Sequence, residues 1–228
     1  EKELHDVVNE LYVDDMVDII EEMPANLVKR ILRHTDAETR RSINQILNYP
    51  KDSAGSIMTM EYVDLKRNMT VEQAFDRIRR IGVEKETVYT CYVTDSHRML
   101  KGIVTVKDLL LAPKDEIIRN IMETNIIYVS TQTDKEEVAA LFSKYDFLAV
   151  PVVDNEKRLV GIVTVDDAID VIQDEATEDI EVMAAITPTD RPYMKTGVFA
   201  TWKKRIPWLL ILMVSATFTG SIINSFED

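Results

Sequence analysis

KGIVTVKDLL (Lys101 to Leu110) and VGIVTVDDAI (Val160 to Ile169) decide how this chain folds. Gly102, Ile103, Val104, Thr105, Val106 and Asp108 recur 59 positions later as Gly161, Ile162, Val163, Thr164, Val165 and Asp167. Upstream, IMTMEYVDLKRNMTVEQAF from Ile57 parallels IMETNIIYVSTQTDKEEVA from Ile121. Each copy reads as a short Met-containing helix, an extended strand, an acid-opened helix, a β-branched strand, a turn, the GIVTV strand and a closing helix. The β-branched strands are predicted in TVYTCYVTD (Thr87 to Asp95) and LAVPVVD (Leu148 to Asp154). A period of roughly 60 residues is too long for a solenoid unit, so the two copies are expected to pair their open sheet faces.

The second copy closes on TVDDAIDVIQDEATEDIEVM, Thr164 to Met183. Wound as a helix, it gathers Asp167, Asp170, Asp174, Glu178 and Glu181 on one stripe. Ile169, Ile172, Ala176, Ile180 and Met183 fall on the opposite side, where they are predicted to be buried. Like charges at i,i+3 and i,i+4 oppose a helix by roughly 0.2–0.5 kcal/mol per pair, so four such pairs cost on the order of 1–2 kcal/mol. A packed helix tolerates that, and a bound cation would remove it. A solvated polar face is the competing reading.

The chain has 228 residues, 46% of them hydrophobic, and a net charge of −13. Between Asp134 and Glu181 fourteen Asp and Glu stand against four Lys and Arg. That balance excludes nucleic acid, which needs clustered cations, and favours a cationic partner. A lone Cys91 forms no internal disulfide, and with His5, His34 and His97 it gives no zinc spacing. There is no Gly-rich phosphate cradle and no nucleophile–base pair, which disfavours an ATPase, a kinase or any other enzyme. The opening at Glu1 reads as a fragment of a longer protein.

Residues 1 to about 50 read as short helices, with apolar residues at helical spacing in Leu4, Val7, Val8 and Leu11 and again in Met16, Ile19, Ile20 and Met23. Asp14 and Asp15 sit where acids favour the helix dipole. Pro24 suits a helix start, and Thr35-x-x-Glu38 has the spacing of a capping box. At the other end Pro188 and Pro192 interrupt the chain. Trp202-Lys-Lys-Arg205 then precedes an uncharged run from Pro207 to Phe226, PWLLILMVSATFTGSIINSF. About 20 apolar residues span a bilayer, so a transmembrane helix is predicted here with its basic end in the cytoplasm. Ser215, Thr217, Thr219, Gly220, Ser221 and Asn224 suit it to packing in a bundle.

The GIVTV-x-Asp repeats, each copy opened by Ile-Met, resemble a cystathionine-β-synthase (CBS) domain pair. The order of segments, with the pair ahead of the membrane part, is similar to MgtE-type magnesium channels. The likeness is densest in NYPKDSAGSIMT, EKETVYTCYVTD, DFLAVPVVD and GIVTVDDAIDVIQDEATEDI. It implies an α+β fold: two βαββα-type modules, an N-terminal α-helical segment, and a C-terminal connecting helix leading to a transmembrane helix. The expected segments are an N-terminal helical domain (1–52, truncated), CBS domain 1 (53–115), CBS domain 2 (116–174), the acidic connecting or plug region (175–205) and the first membrane helix (206–228).

The resemblance further implies a homodimer in the cell membrane, multi-pass in its full length, with residues 1–205 cytoplasmic, that closes a magnesium path when cytosolic Mg²⁺ is high. The positions matching the family's acidic ligands are Asp134, Glu136, Asp146, Asp167, Asp170, Glu175, Glu178 and Asp179; helix geometry adds Asp174 and Glu181. Mg²⁺ keeps several waters and takes one or two carboxylates per ion, which dispersed acids suit. Phe147, Ala149 and Pro151 match a stretch lining a nucleotide pocket in some members, so ATP is a second candidate ligand. Thr105/Asp108 and Thr164/Asp167 are either ribose-holding or simply helix caps. The rival readings are a nucleotide-sensing CBS module of another membrane transporter and a tethered scaffold for a basic protein.

Overall fold

A computed structural model of the chain describes residues 11–183 and 198–226. The expected helical turns through 4–10, and Pro188 and Pro192, lie outside the described residues. Two compact units are present, Glu1–Val171 and Ile172–Asp228.

The first unit opens with three ten-residue helices, α1 (Val13–Glu22), α2 (Ala25–His34) and α3 (Ala37–Ile46). Met16, Val17 and Ile20 recur at helical spacing and bury against Ile31, Ile43 and Ile46, with Met60 packed alongside. Thr35 is not the cap of α3 that its spacing predicts. Thr35 is buried with its hydroxyl donating to the Ile31 carbonyl at 3.0 Å, so it closes α2. Asp36 caps α3 instead, accepting from the Thr39 amide at 3.0 Å.

Two sheets of three strands follow, each a copy of the other. The first contains β1 (Asp64–Lys66), β2 (Thr90–Thr94) and β3 (Leu100–Thr105). The second contains β4 (Val129–Ser130), β5 (Ala149–Val153) and β6 (Leu159–Thr164). In both, the first pair is parallel and the second antiparallel. Thr90 pairs with Thr105 and Ala149 with Thr164, so the sequence repeat carries over into register. The helices are α4 (Val71–Ile81), α5 (Val106–Leu111), α6 (Ile118–Ile121) and α7 (Lys135–Tyr145). α8 (Val165–Met183) closes the repeat, and the boundary between the units falls within it, after Val171.

The modules exchange their opening segments. Ala54 and Met58 lie in the core of the second module, and Ile118 in that of the first. The segment through Ile57 and Met58 is not the predicted short helix but a string of turns. Ser53 and Ser56 donate to the carbonyls of Pro50 and Ser53 at 2.7 and 2.8 Å, competing with helical bonding. Tyr92, Leu159 and Ile162 form a separate core joining the two modules, with Ile103 and Ala149 packed against it, as expected of paired sheet faces.

The exchange rests on two glycines. A Cβ on Gly161 would lie 2.7 Å from both the Met58 sulfur and the Thr59 carbonyl, and one on Gly102 would lie 2.7 Å from the Met122 sulfur and 3.0 Å from the Glu123 carbonyl. The Thr59 carbonyl cannot retreat, because it accepts from the Ile162 amide at 2.9 Å. Gly161→Ala should therefore cost about 1–3 kcal/mol, the usual range for overpacking. Gly102→Ala should cost less. Urea unfolding of both variants checks the order.

α8 turns a different side inward from the one expected. Ala168 and Val171 are buried, whereas Ile169 (46% exposed), Ile172, Ile180 and Met183 (87%) are exposed. Rotation is set at the strand-to-helix junction, where the Thr164 hydroxyl donates to the Asp167 carboxylate at 2.5 Å. That contact turns Ala168 and Val171 toward the sheet, about one residue round from the more hydrophobic stripe.

In the second unit α9 (Val198–Phe226) is helical where a membrane span was predicted, with Pro207 inside it. Among the described residues, however, no helix is long and apolar enough to cross a membrane. After Val214 the apolar side chains of α9 alternate with Ser215, Thr217, Thr219 and Ser221. Thr217 and Thr219 fold their hydroxyls onto the carbonyls of Met213 and Ser215 at 2.7 and 2.9 Å.

Candidate metal centre

Asp14 reaches the site from the first turn of α1, Asp167 from the first turn of α8, and Glu86 from the loop between α4 and β2. Their carboxylate oxygens all lie within 4.8 Å of one another. Among the described residues this is the one group of three or more acids with ligand spacing. Asp14 is buried, at 8% exposure, and Glu86 and Asp167 are half-buried. They line a cavity of about 410 Å³ together with Asp15, Asp166, Tyr12, Tyr89 and Leu148. No Lys or Arg lines it among the described residues.

Local bonds hold all three acids, and Asp14 Oδ1 accepts from the Asp15 amide at 3.0 Å. Thr164 fixes one Asp167 oxygen through its hydroxyl, as described above. The Glu86 amide donates to the Glu61 carbonyl at 3.0 Å, which pins the loop. Glu86 Oε2 is buried without a hydrogen-bond partner, as is Oε2 of Glu61. Desolvation penalises the charged form of each acid in the group. Burial, then the charge of Glu86, raises the Asp14 carboxyl well above the ordinary range. Burial, then the charge of Asp167 working against a Thr59 hydrogen bond, raises Glu86. Burial, then the charge of Asp14 working against the Thr164 hydrogen bond, pushes Asp167 up to about 7.

Crowded carboxylates, an orphaned oxygen and a cavity without cations fit a hard divalent ion. With roughly 30 Å³ per water, the cavity admits a cation that keeps most of its hydration, the condition Mg²⁺ prefers. The donor set is all oxygen, which favours hard cations over softer metals.

Of the acids singled out in the sequence, only Asp167 joins this group. Asp134 caps α7, accepting from the Glu136 amide at 2.9 Å; both side chains are exposed. Asp146 ends α7 in the left-handed region, at φ 54°. Asp170, Asp174, Glu178 and Asp179 line α8 exposed, Glu175 is half-buried, and Glu181 is buried at 8% exposure. Sequence reasoning does not reach Asp14, which reads as a helix-dipole residue, or Glu86, which lies within EKETVYTCYVTD but in no ligand pattern. Phe147 stacks on Tyr145 with ring centroids 5.4 Å apart; Ala149 opens β5 and Pro151 is buried within it.

The chain matches the MgtE intracellular N domain over residues 1–52 and the CBS domain over 54–115 and 118–174. It is 41% identical over 220 residues to the magnesium transporter MgtE of Thermus thermophilus, covering 95% of this chain and 49% of that protein. The Bacillus subtilis magnesium transporter MgtE is 37% identical over 221 residues, covering 97% and 49%. Among solved structures, the cytosolic domain of the Mg²⁺ channel MgtE in complex with ATP superposes with a TM-score of 0.71 at 42% identity, covering 74% of this chain and 69% of that one. The soluble part of a magnesium transporter gives 0.73 at 38% identity, covering 75% and 67%. The chain thus spans about half the length of the curated relatives it matches.

Proposed function

Because this chain belongs to the MgtE family of magnesium transporters, we propose that it is the part that senses cytosolic Mg²⁺ and closes an ion path when the ion is abundant. The observation that carries this reading is the Asp14–Glu86–Asp167 group, which brings a helix of the N-terminal domain against the CBS pair. Without a cation the three carboxylates repel, which works against the contact between α1 and the pair. With a cation bound, Asp14 and Asp167 share its charge, Glu86 supplies its unpartnered oxygen, and the compact arrangement becomes favoured. One ion shifts such an equilibrium only by its differential affinity for the two arrangements, so a steep response needs several. The exposed acids of α8 (Asp170, Asp174, Glu178 and Asp179), with Glu175, and Asp134, Glu136 and Asp146 on the second module, are the further ligands we assign to that response.

The relatives' names and the match to an intracellular domain support a place at the cytoplasmic face of a cell membrane and a non-catalytic role. A homodimer is supported by Leu110 and Ile169, which are 68% and 46% exposed at equivalent positions of the two repeats. ATP is the second ligand we propose, at Phe147, Ala149 and Pro151, supported by the Tyr145–Phe147 stack and by the relative solved with ATP.

Limited proteolysis tests the compaction. Millimolar Mg²⁺ should protect the chain, and binding at about 100 times the dissociation constant should add about 2.7 kcal/mol to its stability. An identical cleavage pattern with and without the ion contradicts the proposal. Neutralising Asp170, Asp174 and Glu178 together should shift protection to higher Mg²⁺ without abolishing it.

A further inference from the structure

A second cavity of about 420 Å³ opens in the first unit and shares no lining residue with the carboxylate site or with Phe147, Ala149 and Pro151. In a chain of net charge −13, three cations line it: Arg77, Lys85 and Arg98. Two acids accompany them, and one is already neutralised. Asp64 is held by the Arg77 guanidinium, whose Nε also donates to the Asp64 carbonyl at 2.6 Å, and by Lys66 at 3.2 Å. Burial would raise the Asp64 carboxyl, but these two cations keep it below the ordinary range.

The remaining cations have capacity to spare. Arg98 uses one terminal nitrogen, donating to the Tyr62 hydroxyl at 3.2 Å and the Leu159 carbonyl at 3.3 Å. Its other donors belong to the same rigid fork, now held in place. The Lys85 ammonium makes no hydrogen bond or ion pair among the described residues. Tyr62 is fixed edge-on against Tyr92 at 5.8 Å, and Met60 and Ile81 add apolar wall. A pre-oriented guanidinium, an ammonium without a hydrogen-bond partner among the described residues whose charge also reaches Glu61, and the Thr94 hydroxyl, which accepts from Lys66 at 2.8 Å and keeps its proton to donate, are the donors a phosphate group requires.

The loop from Gly82 to Tyr89 borders both cavities. Glu84 and Lys85 line this one, while Glu86, Thr87 and Tyr89 line the carboxylate site. Adjacent residues of one loop therefore face the two sites.

We propose that this cavity binds a small phosphate-bearing anion and that the Gly82–Tyr89 loop couples its occupancy to the carboxylate site. Binding at Lys85 fixes the loop that presents Glu86, and the added negative charge favours a cation nearby, so each ligand strengthens the other, as linkage requires. The coupling rests on the magnesium reading given above; the anion site does not.

Calorimetry of the whole chain with inorganic phosphate in metal-free buffer tests the site. Saturable binding is expected. It should weaken about tenfold in Lys85→Gln and in Arg98→Gln, the loss of one charge-assisted contact, and stay unchanged in Phe147→Ala. Circular dichroism establishes that the variants remain folded, and line broadening in ³¹P NMR gives an independent readout. No saturable binding, binding indifferent to Lys85→Gln and Arg98→Gln, or loss in Phe147→Ala overturns the proposal. In the Phe147→Ala background, adenosine monophosphate binding about tenfold tighter than phosphate identifies a nucleotide, and equal affinity identifies the free ion. Saturating phosphate should then tighten Mg²⁺ binding, corrected for the free ion, by about fivefold. An unchanged Mg²⁺ affinity overturns the coupling and leaves the anion site standing.

Discussion

In metal-free buffer the folded chain should lose stability as pH rises from about 4.5 through about 7. Asp14, Glu86 and Asp167 all have carboxyls raised by burial and by one another, Asp167 to about 7. A raised carboxyl binds its proton more tightly in the folded chain than in the unfolded one. Below the ordinary range both states are protonated and the penalty is absent. Between that range and the folded value the unfolded chain releases protons first, and stability falls by about 1.4 kcal/mol per pH unit for each such group. Asp64, whose carboxyl is lowered, acts in the opposite sense, and its contribution fades only in stronger acid. Urea midpoints at about pH 5 and about pH 7.5 separate these effects. The higher pH should give the lower midpoint without metal, and Mg²⁺ should close the gap. Equal midpoints without metal would mean that the three acids are not crowded in solution.

The second large effect is expected of Asp14→Asn combined with Asp167→Asn. When both are ionised, two unit charges no more than 4.8 Å apart, at an effective dielectric constant of about 20, repel by roughly 3 kcal/mol; at neutral pH the parent bears this cost partly as protons held by the raised carboxyls. The double variant should therefore be more stable than the parent in metal-free buffer at neutral pH. Its response to Mg²⁺ should also be weakened, because Glu86 alone is a poor site and only the exposed acids remain to bind the ion. Asparagine preserves the hydrogen bond by which Asp167 receives the Thr164 hydroxyl, so a loss of response reports charge and not a broken cap. Opposite signs for metal-free stability and metal response are the signature of a site that stores repulsion; an ordinary structural ion cluster would weaken on both counts. Denaturant titration at several Mg²⁺ concentrations measures both.

The repeat at GIVTV was legible because each module needs the same thing from it: a glycine where the backbone passes under a methionine, a β-branched strand, and a Thr-x-x-Asp junction. Register followed from it, since Thr90–Thr105 and Ala149–Thr164 are the same pairing in two copies. The exchange of opening segments was not legible. Ala54 and Ile118 are apolar residues that either module could bury, and only three-dimensional connectivity decides between them. The orientation of α8 was misread because hydrophobicity favours the stripe through Ile169, whereas the bond between Thr164 and Asp167 fixes the rotation first. The predicted membrane span rests on an uncharged run of about 20 residues; that run is helical in α9, but among the described residues no helix is long and apolar enough to cross a membrane.

The candidate site was half visible. Asp167 stands in a repeat, and the excess of acid around it could be counted. Asp14 and Glu86 come from a helix start and a loop, 153 and 81 positions away, and nothing in a linear sequence records that the three meet. The missing signal was burial. An acid at the first turn of a helix normally faces water, whereas Asp14 is 8% exposed. Asp14 directly follows the buried Val13 and precedes the buried Met16 by two residues, and that proximity to the buried side is the one available hint.

Equilibrium dialysis of the chain against Mg²⁺ at physiological ionic strength, run beside Asp14→Asn/Asp167→Asn, tests the central claim most directly. The account predicts that the parent retains at least one more ion than the variant at millimolar free Mg²⁺. Equal retention by the two would contradict it, because the three carboxylates would then be crowded without serving a cation.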